Sequence, residues 1–170
     1  MATRTGIPAS RNRPPAGGAT IIGTDLRSSD GPGPEVMNAE TLIGDSVVNA
    51  AGDNLGEIKG IMLDVLSGRI AYAVLSFGGV FGIGNKLFAV PWSALTLDAG
   101  EKQFILDIAR ERLENAPGFD KDHWPSMADP SWAAALHTYY DVRPYWDDAY
   151  PESRDPRTTT GSPRTPPKSY

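Results

Sequence analysis

The chain has 170 residues, of which 18 are glycine, 15 are proline and none is cysteine, and its formal net charge is −5. The absence of cysteine excludes disulfide frameworks, thiolate metal sites and cysteine nucleophiles, and the acidic balance argues against a surface built to neutralise phosphates. The longest uninterrupted apolar run, 70–75, has six residues, whereas a membrane helix needs about 20. The composition therefore predicts one cytoplasmic domain with additional segments and no membrane span.

The N-terminal segment 1–40 contains five prolines and six glycines and has no periodic apolar pattern. A segment of this kind buries too little apolar surface to offset the entropy lost on ordering, so we expect a disordered arm. Its isolated pair Ile21-Ile22 is interpreted as part of a solvated linker, with transient docking as the alternative. The proline-rich segment 151–170 is expected to be a disordered tail for the same reason.

The segment 41–110 contains short apolar runs separated by turn signals roughly every 8 to 12 residues, a spacing typical of a small barrel or sandwich. We therefore predict an all-β fold, a small barrel of about six strands. The segment offers no crossover helix long enough for a parallel sheet. The predicted strands are 46–49, 57–65, 69–77, 86–91, 95–98 and 103–108.

Alternation of apolar and polar residues predicts which side of each strand is buried. Phe104, Leu106 and Ile108 form one such set, and a second set in the strand at 57–65 comprises Ile61, Leu63 and Val65. Gly60 interrupts the second pattern and indicates a bulge, and Pro91 should end its strand. The large aliphatic side chains expected to fill the interior are Val48, Ile61, Leu63, Val74 and Val90.

The segment 111–150 is predicted to be a helical, aromatic extension packed on the barrel. A short helix is expected at 110–114, and a second is expected to run to about Tyr140, with Asp129 or Ser131 as its cap and Pro130 in its first turn. Trp132 and Leu136 then share one helix face. The aromatic side chains are expected to hold this extension on the barrel, and the alternative is that they form a binding surface.

The glycine-rich stretch 78–85 is the most conspicuous motif of the chain. A phosphate cradle needs glycine amides that open a helix, but this stretch leads into a strand-like sequence, so nucleotide binding is not expected. Val80, Phe81 and Ile83 lie among the glycines. Apolar residues in such a loop either fold back as a plug for the barrel or face a partner.

Neither catalytic nor metal-binding patterns are found. His123 and His137 are 14 residues apart without a metal-ligand motif, and no nucleophile elbow occurs. We therefore predict no catalytic, cofactor-binding or metal-binding residues and no enzyme activity. No basic stripe with interleaved aromatic residues is present, so no specific nucleic-acid binding is expected.

Several short segments, taken in order, resemble the PRC-barrel domain family. They are LIGDSVVN at 42–49, GDNLGEI at 52–58, Leu63-Asp64, GRIAYAV at 68–74 and VPW at 90–92. The stretches FGGVFGIGN at 77–85 and YYDVRPYW at 139–146 resemble the small stand-alone bacterial members. The resemblance covers residues 40–147 and implies a small β-barrel that acts as an adaptor without a cofactor.

The family includes the cytoplasmic domain of the photosynthetic reaction-centre H subunit and a domain of a bacterial ribosome-maturation factor. The resemblance therefore implies a non-enzymatic protein-interaction module that docks on a larger complex, including peripherally on a membrane complex, or self-associates as a homo-oligomer. The alternatives are a ribosome- or RNA-associated assembly factor and a reaction-centre-H-like accessory protein. The residues expected at the protein interface are Val80, Phe81, Ile83, Tyr140, Tyr145 and Trp146.

Overall fold

A computed structural model describes residues 17–23, 36–78 and 86–147. Within these ranges the chain forms eight strands, two α-helices and two short 3-10 helices, Ala39–Thr41 and Trp92–Ala94. The strands are β1 (Thr20–Ile22), β2 (Ser46–Val48), β3 (Asn54–Asp64), β4 (Arg69–Phe77), β5 (Lys86–Pro91), β6 (Leu95–Asp98), β7 (Gln103–Leu106) and β8 (Gly118–Phe119). The α-helices are α1 (Arg110–Glu114) and α2 (Pro130–Tyr139). The predicted all-β class is confirmed, and each of the six predicted strands is present with ends shifted by at most a few residues.

The strands form one sheet in the order β1-β6-β7-β2-β3-β4-β5-β8. The ladder is open among the described residues, since β1 and β8 lie at its two ends and are not paired with each other. Two pairings, β1 with β6 and β2 with β7, are parallel. These parallel pairs form without a crossover helix, in agreement with the sequence analysis, because other strands of the sheet connect β2 to β7.

Bulges bend the long strand β3 and curl the sheet around one core. The pairing of β3 with β4 shifts between Ile58 and Gly60, which confirms the predicted bulge at Gly60. A bulge increases the local twist of a strand, and strands from β1 to β5 along the sheet contribute to the same main core. Its most buried members are Val47, Leu55, Ile58, Ala73, Phe104 and Leu113.

The predicted interior is correct for β4 and β5 but wrong for the end of β3. Val74 and Val90 are buried, whereas Val48 and Ile61 are half-buried. Leu63 and Val65 are 61% and 87% exposed. The register shifts a second time between Met62 and Leu63, so simple alternation does not hold where the hairpin leaves the core.

The N-terminal segment contributes a strand that the sequence did not predict. Ile21 and Ile22, interpreted as part of a disordered linker, lie in β1 and pair with Leu97 and Asp98 of β6, and Ile21 packs against the main core. That part of the expectation is wrong, because a neighbouring strand edge supplies the hydrogen bonds that the segment cannot make alone. The rest of the predicted arm before residue 17 and the tail after residue 147 lie outside the described residues.

The two predicted helices are confirmed and pack against the sheet. The Ser131 amide donates to Asp129 Oδ1 at 2.8 Å, so Asp129 is the N-cap of α2, and Pro130 occupies the first turn. The Arg112 guanidinium donates to the Tyr139 carbonyl, and the Tyr139 hydroxyl donates to the Arg112 carbonyl. These reciprocal bonds fix the end of α2 against α1.

We expect Gly56→Ala to destabilise the fold far more than Gly52→Ala. Both glycines have positive φ, 118° and 87°, so both variants incur about 1–2 kcal/mol of backbone strain. A Cβ at Gly56 would also overlap the Ser76 carbonyl of β4, whereas a Cβ at Gly52 meets nothing within 4 Å. We predict a further loss of about 2 kcal/mol in the free energy of unfolding of Gly56→Ala, measured by urea denaturation. Equal losses in the two variants would contradict the close approach of β3 to β4.

Candidate docking groove

A large apolar depression lies between the β3–β4 hairpin and the C-terminal extension. This docking groove has a volume of about 590 Å³. The hairpin supplies the residues Met62 to Leu66 and Ala71-Tyr72, and the extension supplies Met127, Ala128, Pro130, Ala133, Tyr145 and Trp146. Its volume falls within the range of 300–1,000 Å³ that is usual for binding sites.

The rim of the groove consists of three exposed aliphatic side chains. Leu63 is 61% exposed, Val65 is 87% exposed and Leu66 is 100% exposed. The turn that carries them is fixed from within, because Asp64 Oδ1 accepts hydrogen bonds from the Leu66 amide at 3.0 Å and the Ser67 amide at 3.2 Å. The turn therefore presents these side chains to solvent in a defined conformation.

Aromatic rings form the wall opposite the rim. The centroid of the Tyr72 ring lies 5.5 Å from that of Trp132 and 6.2 Å from that of Tyr145, in edge-to-face geometry. Trp146 packs against the buried ring of His137 at 4.9 Å. Arg69 Nη1 donates to the Tyr145 carbonyl at 2.6 Å, so the first residues of β4 hold the extension in place.

Tyr72 places an unpartnered hydroxyl at this wall. The residue is 2% exposed, and its hydroxyl has no hydrogen-bond partner among the described residues. Burial raises its pKa, and the nearby Tyr145 phenol and Asp64 carboxylate raise it further. The hydroxyl therefore stays protonated at physiological pH and is a donor without an acceptor, which costs about 1–3 kcal/mol when nothing is bound.

Asp64 and Tyr145 complete the polar part of the groove. Hydrogen bonds from Ser67, and further ones from Leu66 and Tyr145, hold the pKa of the Asp64 carboxyl below its usual range. Burial raises the pKa of Tyr145, and so does its hydrogen bond to Asp64. The groove thus contains one carboxylate that stays charged and two phenols that stay neutral.

The structure brings together only part of the predicted interface. Tyr145 and Trp146 line the groove. Tyr140 instead packs between the main core and a second hydrophobic cluster, whose buried members are Ala71, Tyr72, Ala89 and Leu136. Val80, Phe81 and Ile83 lie outside the described residues. The extension packs on the sheet as expected, and its residues Tyr145 and Trp146 form one wall of the groove. That this wall binds a partner stays a prediction.

Sequence reasoning missed the hairpin side of the groove, including Tyr72, Val65 and Leu66. The one available signal was the adjacent aliphatic pair Val65-Leu66 directly before Ser67-Gly68, where a turn is normally polar. Tyr72 gave no signal, because it lies within an apolar run that predicts a buried strand.

The described residues contain no group of three or more side chains suited to hold a metal ion. His123 Nδ1 lies 2.8 Å from Asp120 Oδ1 on the surface, and His137 is buried. No helix in the described ranges has the length and apolar character needed to cross a bilayer.

Replacing Tyr72 by phenylalanine should stabilise the unbound protein. Tyr72→Phe removes a buried donor that has no acceptor, so we expect the free energy of unfolding to rise by about 1 kcal/mol. Tyr145→Phe is the matched control: it removes a hydroxyl that donates to Asp64 and should lower the free energy of unfolding by up to about 1 kcal/mol. Urea denaturation measures both, and a clear loss of stability in Tyr72→Phe would contradict the unpartnered hydroxyl.

The buried His137 should make folding pH-dependent. Its Nδ1–H donates to the Ala133 carbonyl at 2.8 Å, and burial lowers its pKa, an effect only partly opposed by that bond and by Asp147. Below the unfolded-state pKa of about 6.5, the unfolded chain binds a proton that the folded chain does not. Stability is therefore complete above this pH and is lost as the pH falls through it.

We expect the urea concentration at the unfolding midpoint of the wild type to decrease when the pH is lowered from about 7.5 to about 5.5. The decrease should be smaller in the His137→Gln variant, which lacks the titrating imidazole. An identical decrease in both proteins would show that His137 is not the titrating group.

Comparison with known proteins gives one family match. The model of the PRC-barrel domain matches residues 34–113, which include β2 to β7 and α1. No curated protein matches the chain in sequence. The matched segment supplies the hairpin side of the docking groove, and the residues after it supply the aromatic wall. Residues 34–113 of the chain are therefore identified as a PRC-barrel domain.

Proposed function

We propose that the chain is a non-enzymatic protein-interaction module whose docking groove receives an apolar segment of a partner protein. The observation that carries this proposal is the continuous apolar surface from the rim at Leu63, Val65 and Leu66 into the groove. Adjacent aliphatic side chains that are almost fully exposed are a liability for a protein without a partner. A partner that covered them would remove this apolar surface from water at roughly 25 cal/mol per Å².

The extent and charge of the surface favour a protein over other ligands. Val65 and Leu66 line the edge of the groove but are 87% and 100% exposed. An occupant that covers both side chains must therefore be larger than a molecule that only fills the cavity. Asp64 places a negative charge at the rim, which disfavours a phosphate backbone.

The titration behaviour of the groove supports a binding role. General acid–base catalysis works best with a group whose pKa lies near the operating pH. The phenols of Tyr72 and Tyr145 have raised pKa values, and the carboxyl of Asp64 has a lowered one. These groups keep one charge state near neutral pH and suit recognition rather than proton transfer.

The construction of the groove suggests how the family domain acquires its specificity. The matched domain supplies the apolar hairpin, and the extension supplies Met127, Tyr145 and Trp146. An extension of different sequence would change one wall of the groove while the sheet remained the same. We infer that the extension sets the choice of partner.

Photo-crosslinking from the rim tests the proposal. With Leu66→p-benzoylphenylalanine in the full chain, expressed in its native host, we expect a discrete protein adduct because this position is fully exposed beside the groove. The adduct should disappear when Val65→Asp is added, since a buried unpaired carboxylate opposes docking.

Val36→Asp is the matched control, because Val36 is also exposed, at 68%, but does not line the groove. This variant should keep the adduct. Equal adduct yields with Val65→Asp and Val36→Asp, or no adduct at all, would contradict the proposed docking surface.

A further inference from the structure

We propose that the occupant of the docking groove is the glycine-rich segment 78–85 of a second copy of this chain. This inference rests on the proposed function, since it names the partner of the same site. It connects the most conspicuous motif of the sequence with the large apolar depression beside the β3–β4 hairpin.

The groove determines the chemistry of its occupant. Met62, Leu63 and Met127 offer apolar surface, and methionine side chains adapt to irregular shapes. The ionised Asp64 disfavours an anionic segment. The Tyr72 hydroxyl needs an acceptor, which a backbone carbonyl can provide only if it is not already bonded within a helix. The occupant is therefore apolar, without acidic residues, and not helical where it meets Tyr72.

The segment 78–85 has these properties in its sequence. It carries Val80, Phe81 and Ile83 as large apolar side chains, it has no charged residue, and four of its eight residues are glycine. Such glycine content disfavours a helix and lets a backbone approach a wall closely.

The segment cannot fill the groove of its own chain. Gly78 follows the last residue of β4, and Tyr72 lies six residues earlier along the same strand direction, which separates them by about 20 Å. Three residues from Gly78 to Phe81 span at most about 11 Å. The turn that carries Val65 and Leu66 lies farther still, before the first residue of β4, so a second copy must supply the segment.

This arrangement makes a head-to-tail contact between two different surfaces. Each copy presents a segment near one end of β4 and a groove near the other, so an open arrangement of copies leaves a free segment and a free groove at its ends, whereas a ring leaves none. One contact of this size lies at the weak end of protein interfaces. Assembly should therefore grow with concentration.

Complementation between two defective copies tests this directly. In light scattering coupled to size-exclusion chromatography, the mass of the wild type should rise from micromolar to near-millimolar concentration. Phe81→Asp removes the apolar segment and Leu66→Asp damages the groove rim, so each variant alone should remain a monomer. Their equimolar mixture should form a 1:1 dimer and nothing larger, because only one intact segment and one intact groove can meet.

Three further measurements keep the test independent of folding defects. A peptide of residues 77–86 should dissociate the wild-type assembly, and Val36→Asp should assemble like the wild type. Tyr72→Phe, although more stable as a monomer, should weaken assembly about fivefold through loss of one hydrogen bond. A more stable monomer that assembles less well is a combination that a purely structural tyrosine would not give.

A wild type that stays monomeric at all concentrations, or a Phe81→Asp variant that assembles like the wild type, would overturn the inference. If the photo-crosslinker at position 66 then captures a different protein in a Val65-dependent manner, the docking function stands and only the identity of the partner is wrong. If neither assembly nor an adduct occurs, both proposals fail.

Discussion

The groove depends on a register shift in the β3–β4 hairpin. Met62 pairs with Tyr72 but Leu63 pairs with Ile70, so Ala71 is an extra residue on β4. A bulge of this kind breaks alternation, and both Ala71 and Tyr72 consequently pack in the second hydrophobic cluster. The same shift takes the end of the hairpin out of the core. Without it, the turn would not form an exposed apolar rim above a buried tyrosine.

The C-terminal extension converts this irregular hairpin into a groove. Arg69 holds the Tyr145 carbonyl, and Tyr72 contacts the rings of Trp132, His137 and Tyr145. The family domain and the extension therefore share one aromatic cluster, and the surface they enclose belongs to neither alone. This arrangement leaves the buried Tyr72 hydroxyl without a hydrogen-bond acceptor, which destabilises the unbound protein. An occupant of the groove that supplied an acceptor would remove this destabilisation.

The sequence predicted the elements whose signals are local. The capping pattern placed the start of α2 at Asp129 or Ser131. Alternation identified Phe104 and Leu106 as core and Gly60 as a bulge. It failed at Leu63 and Val65, because the second bulge has no glycine to mark it and arises from the pairing of two strands. It also failed at Ile21 and Ile22, whose order depends on the distant edge of β6. Tyr145 and Trp146 were predicted from composition, but Tyr72 could be placed beside them only by the fold.

The methionine methyl groups offer the most direct test of the central claim, that binding occurs in the groove between hairpin and extension. Met62 and Met127 line it, whereas Met37 is exposed elsewhere. In methyl-labelled protein, the peptide of residues 77–86 or a captured partner should shift the NMR signals of Met62 and Met127 and leave that of Met37 unchanged. A shift of Met37 with Met62 and Met127 unaffected would place binding on another surface and contradict the account.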